Sequence, residues 1–219
     1  MERKESIFKK TMNYITPFYK ADRTGHDIEH IYRVMRYSKM VQEKEGGDSF
    51  LIQMGALLHD ATDEKLVSSK AEAEEALMTY LREIGAKEEE IGKIMKIIAS
   101  VSFKGGHGLP ATTLEAQIVQ DADRLDALGT LGIARTFFYA GIKGDKIYDP
   151  AIPIQKNKSL KEYRQATSTA INHFYEKLLL LKDLLNTKTA KELAESRQQV
   201  MLDFLKHFYQ ETGYPKPEL

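Results

Sequence analysis

The sequence predicts an all-α protein. Apolar residues recur at helical spacing along most of the chain, glycines punctuate the stretches between, and no run alternates polar with apolar residues as a half-buried strand would. With 219 residues and 42% apolar side chains, the chain can bury a sizeable core. A single domain over 1–219 is the simplest organisation.

Phe8, Met12, Ile15 and Tyr19 mark a first helix. A second runs from about Asp27 to Lys44, with His30, Ile31, Val34, Tyr37, Ser38 and Val41 on one face and Gly46–Gly47 at its end. Phe50, Leu51, Met54, Leu57 and Leu58 give a third, to about Ala61, where Gly55 and Ala56 allow close helix approach. Ala73, Leu77, Tyr80, Leu81 and Ile84 mark a fourth, and Ile91, Ile94, Met95, Ile98 and Val101 a fifth. After the break FKGGHGLPATT, Thr112 and Glu115 form a candidate capping box for a sixth helix bearing Leu114, Ile118, Asp121, Leu125 and Leu128. Gly129 and Gly132 interrupt the chain before a helical stretch over 133–140. The core is expected at about 20–135. Residues 141–159, with glycines and prolines but no stripe, read as a lid-like loop. Two long helices, about 160–186 and 190–211, should then pair as a C-terminal hairpin, the second capped by Thr189 with Glu192.

Lys plus Arg balance Asp plus Glu at 32 each. Duplex nucleic acid normally requires a basic excess or stripe, so it is not an expected partner, whereas a small phosphorylated substrate needs only a local cationic pocket. The absence of cysteine excludes disulfides, zinc–thiolate sites and thiol nucleophiles. MERKESIFKK has no apolar signal core, and Leu178–Leu181 is far short of a membrane span. The expected location is cytoplasmic, with no membrane partner.

Chemistry concentrates where charged residues meet apolar helix faces. His59 and Asp60 end the apolar stretch in GALLHDATDEK, and burying such a pair is costly without a partner. A divalent cation is one partner, since imidazole nitrogen and carboxylate oxygen together suit Mn, Fe, Co, Ni, Zn or, less well, Mg. His30 lies on the core-facing stripe of its helix. Asp121 lies in line with Ile118 and Leu125. Taken singly, each has an ordinary structural reading: a satisfied histidine, or an aspartate paired with Arg124. As an ordered set from three helices, they can meet around one ion in a bundle core.

The order His30 … His59-Asp60 … Asp121 resembles the H…HD…D signature of the HD-domain superfamily of metal-dependent phosphohydrolases. HDIEHIYRV, LLHDATDEK, SFKGG, IVQDADRLDALG and INHFYEKLLLLKDLLNT extend the likeness over most of the chain. They resemble in particular a bacterial deoxynucleoside triphosphate pyrophosphohydrolase subfamily. The resemblance implies an HD-domain helical bundle and hydrolysis of phosphate esters or anhydrides, with a nucleotide as substrate. It also implies one bound divalent ion, because binuclear members generally add two histidines between the HD pair and the last Asp. Here that interval holds His107 alone.

Asp63, one turn past the HD pair, is the acid/base candidate beside Asp60, and its position resembles an acidic catalytic residue of some nucleotidase members. An exposed helix-end carboxylate is the competing reading. Lys65, Lys104 and Arg124 are the phosphate-binding candidates, each beside a motif or glycine loop, with His107 as a substrate contact. Arg33 and Arg23 are weaker candidates. His26 and Asp27 are placed to orient ligands. TFFYAG and the Phe174–Tyr175 stripe could line a base pocket, but helical aromatics more often pack in cores. Two other classes stay open: a non-catalytic metal- and nucleotide-binding regulatory module, and a dinuclear-iron oxygenase, which needs more histidines than are found. The C-terminal hairpin offers a surface for a second copy.

Overall fold

The computed structural model describes residues 2–20, 27–63, 66–103, 108–155 and 168–217. Among these residues the secondary structure is helical throughout, with no strand: α1 (Glu2–Lys20), α2 (Ile28–Glu45), α3 (Ser49–Leu58), α4 (Lys70–Glu83), α5 (Glu88–Val101), α6 (Leu114–Asp126), α7 (Gly129–Lys143), α8 (Ala170–Glu176), a 3₁₀ turn at Leu178–Leu180, and α9 (Lys188–Thr212). None of the described helices is long and apolar enough to cross a membrane. The chain divides into two compact units, one of Met1–Phe103 with Gly108–Asp123 and the other of the remainder.

In the first unit α3 is the central element. It packs against α1, α2 and α5, and eight of its ten residues are buried. Gly55 makes that possible: a β-carbon there would meet Ile97 Cγ2 of α5 at 2.6 Å and Val119 Cγ2 of α6 at 3.3 Å. The chain enters α2 and α3 through polar caps. Asp48 accepts from the N–H groups of Phe50 and Leu51, and Asp27 from that of His30, each such cap contributing about 1 kcal/mol. Gly46, at φ 87°, ends α2 in a conformation that favours glycine. The buried stripe of α1 is Ile7, Thr11, Ile15 and Tyr19, so its first two members lie one residue before the Phe8 and Met12 read from the pattern.

The expected Thr112–Glu115 box is replaced by two separate contacts. Thr113 Oγ1 accepts from the Ala116 N–H, while Glu115 reaches across to the Asp48 N–H at 3.0 Å. An acid drawn to another helix's entry cannot also fold back on its own.

At the start of α5, Glu90 accepts from the Lys87 N–H and from both terminal nitrogens of Arg3. The Arg3 contact chiefly, opposed by some burial and aided by that N–H, holds its carboxyl down at about 2. A carboxylate whose pKa falls on folding contributes stability above its unfolded value, and that contribution is lost as pH drops through the folded value. Glu90→Gln should therefore lower Tm at pH 7 by about 2–3 °C, with Arg3 partly solvent-screened. Thermal melts should show the difference between variant and wild type shrinking between pH 4.5 and 2.

In the second unit α7 packs on α8 and α9. Phe137, Phe174 and Phe204 interlock there, with Phe174 and Phe204 stacked at 5.5 Å. The Phe174–Tyr175 stripe is accordingly core. Asp126 is fully buried and paired with Arg135 at 2.5 Å, and Arg197 donates to the Leu125 carbonyl. Of the expected lid over 141–159, residues up to Lys143 are helical. The Lys146 and Ile147 carbonyls accept from Ala170 and Ile171, and Asn172 donates to Ile152. That stretch is strapped to α8 by backbone contacts no side-chain pattern announces. The described part of the expected helix over 160–186 is also broken. Thr169 caps α8, and Lys177 leaves helical geometry at φ −142°, ψ −61°. The final helix starts with Thr187 as its cap, accepting from Ala190, two residues ahead of the expected Thr189.

Candidate metal centre

Three side chains of the first unit converge. The Nε2 atoms of His30 and His59 lie 3.1 Å apart, and Asp60 Oδ2 is 3.4 Å from the first and 3.3 Å from the second. His30, His59 and Asp60 are all buried. A divalent ion about 2.1 Å from each of two imidazole nitrogens in neighbouring coordination positions separates those nitrogens by about 3 Å. The donor set therefore fits a small divalent cation.

Each ligand's direction has a local cause. Asp27 caps α2 at the His30 N–H, 2.9 Å away, which fixes the turn bearing that imidazole. His59 directly follows α3, and its Nδ1 lies 2.9 Å from the Ala56 carbonyl. A carbonyl only accepts, so Nδ1 carries the hydrogen, and Nε2 is the atom left to face the cluster. Burial by itself would depress the His59 imidazole. The charge and hydrogen bond of Asp60, with Asp123 and the Ala56 carbonyl, overcome it and push the ring up to about 9. The surroundings thus favour positive charge at this spot.

Asp123 was not among the residues read from the sequence. Its Oδ1 is 3.5 Å from His30 Nε2 and 3.9 Å from His59 Nε2. Its side chain is 30% exposed against 1% for each histidine, so the cluster opens towards solvent on this side. Asp121, the expected fourth member, is fully buried in α6, and the group whose donor atoms lie within 4.8 Å of one another is His30, His59 and Asp60, without either Asp121 or Asp123. Asp121 and Asp123 stand two positions apart on α6, and residues 118 to 122 of that helix are all buried, so the helix stripe gives no periodicity with which to choose between them.

α3 ends at Leu58, and tight turns follow, with the Ala61 N–H on the Leu58 carbonyl and the Asp63 N–H on the Asp60 carbonyl. Asp63 is half-buried one such turn after Asp60. Arg124, an expected phosphate contact, donates a guanidinium hydrogen bond to the Leu184 carbonyl. Arg33 is half-buried on α2. Lys65, Lys104, His107, Arg23 and His26 lie outside the described residues.

Comparison with known proteins agrees with this arrangement. The HD domain family matches residues 27–128, which contain all of the converging side chains. YpgQ of Bacillus subtilis (strain 168) is 36% identical over 187 residues, spanning 84% of this chain and 83% of its own length. A structure of YpgQ in complex with ADP superposes with a TM-score of 0.74 at 32% identity, over 93% of this chain and 97% of that one. A Lactobacillus plantarum protein superposes with a TM-score of 0.86 at 37% identity, over 95% and 98% of the two chains. An HD-superfamily hydrolase from Bacillus thuringiensis does so at 0.75 and 40% identity, over 97% and 100%. With a buried histidine–aspartate cluster inside the matched segment and near-full-length likeness to YpgQ, this chain belongs to the HD-domain superfamily, in the family of YpgQ.

Proposed function

We propose that this chain is a metal-dependent phosphohydrolase acting on a nucleotide, with one divalent ion held by His30, His59, Asp60 and Asp123. The observation that carries the reading is the 3.1 Å approach of two imidazole nitrogens beside a buried carboxylate. A shared cation makes that arrangement favourable, with the carboxylate balancing its charge. The hydrolase description of the Bacillus thuringiensis relative and the ADP held by YpgQ support the reaction class and the ligand class.

When bound, a divalent ion lowers the pKa of water and neutralises charge on a phosphoryl group. The chain's own residues supply the rest. The two histidines would present their Nε2 atoms to the ion. Asp60 and Asp123 contribute negative charge, and Asp123 stands at the solvent side where a substrate would enter. Asp63 is the proposed proton acceptor: it takes one proton from water as the new phosphorus–oxygen bond forms and the bond to the leaving group breaks. Lys65, Lys104 and His107 are the proposed phosphate contacts.

The test is a panel of nucleoside mono-, di- and triphosphates, ribo and deoxy, scored separately for pyrophosphate and phosphate with Mn, Co, Ni and Mg. Triphosphates should give the monophosphate and pyrophosphate in equal amounts, with deoxynucleotides among the substrates. Phosphate alone would move the attack to the terminal group. Metal-loaded protein that binds nucleotides and hydrolyses none would replace the enzyme reading with that of a regulatory module.

A further inference from the structure

A helix end leaves its last carbonyls without intrahelical partners. At the end of α3 the carbonyls of Ala56, Leu57 and Leu58 take three different partners. They are the His59 ring, the Tyr19 hydroxyl at 3.1 Å and the Ala61 N–H. Tyr19 comes from the last turn of α1 and is fully buried. One hydroxyl thus holds the backbone two residues before His59, from outside that residue's helix. A phenylalanine would fill the same space, so packing does not explain the oxygen. A buried hydroxyl persists where its bonds are needed.

We propose that Tyr19 is a positioning residue of the metal centre, its hydroxyl fixing the turn that aims the His59 imidazole and the Asp60 carboxylate. The inference rests on the metal reading of those two residues. Groups that orient metal ligands typically change metal affinity by about 10–100-fold when removed.

The test compares the full-length wild type with Tyr19→Phe and Thr11→Val. Thr11→Val removes another buried hydroxyl of α1, one bonded to the Ile7 carbonyl at 2.9 Å. Manganese affinity by titration calorimetry and the Mn(II) paramagnetic resonance line shape are read for each. Tyr19→Phe should weaken manganese binding by about 10-fold or more and alter the line shape, with Thr11→Val unchanged in both. A Tyr19→Phe protein whose affinity and line shape match those of Thr11→Val overturns the proposal. So does a Tyr19→Phe chain that fails to fold under saturating manganese while Thr11→Val folds, because the hydroxyl then serves the fold. Wild type that takes up no manganese would instead overturn the metal reading itself.

Discussion

Asp60→Ala should bind no divalent metal and lose hydrolysis by about 1,000-fold or more, equivalent to about 4 kcal/mol of transition-state stabilisation. Asp60 Oδ2 lies closer to both histidines than the Asp123 oxygen does, at 3.4 and 3.3 Å, and it is buried against them. Removing it leaves two imidazoles facing each other 3.1 Å apart with far less to attract a cation. Calorimetry with manganese and the nucleotide assay read the two losses separately. Circular dichroism should show the helices intact, because α3 is capped at Asp48 and packed along its length. Wild type treated with a chelator should lose activity likewise and regain it on metal addition. A fully active Asp60→Ala enzyme would end the metal mechanism.

The second large effect separates two aspartates of one helix. Asp123→Asn should weaken metal binding by more than about 100-fold, beyond what a supporting residue gives, with little change in Tm, since its side chain is 30% exposed. Asp121→Asn should do the opposite. Its carboxylate is fully buried, so the variant should melt at lower temperature while keeping manganese affinity near that of wild type. The reverse outcome, with metal lost in Asp121→Asn alone, would restore the ligand read from the sequence.

The division between what was legible and what was not follows physical lines. The all-helical class and helices α2 to α5 could be read because their stripes and glycine ends are local signals. His30, His59 and Asp60 could be read because a charged pair closing an apolar helix is conspicuous. The contribution of α6 was not legible: DAD offers two carboxylates, Asp121 and Asp123, and a helix buried on several sides gives no periodicity with which to choose. Tyr19 was read as a packing residue because sequence spacing places its ring and says nothing of its oxygen. The break at Lys177 was invisible for a related reason. Leucines persist through it, and only the distant strap from residues 146 to 155 shows what α8 binds in place of its own continuation.

The termination of α3 immediately before His59 has an electrostatic consequence. The aligned peptide dipoles of that helix place a partial negative charge, roughly half an electron, at its carboxyl end. Asp60 and Asp123 add to it. On the proposed function, an anionic nucleotide approaching the metal-free site would meet repulsion from side chains and backbone alike, whereas a metal ion would be drawn in. The direction of one helix would then set the order of assembly, with cation first and phosphate after.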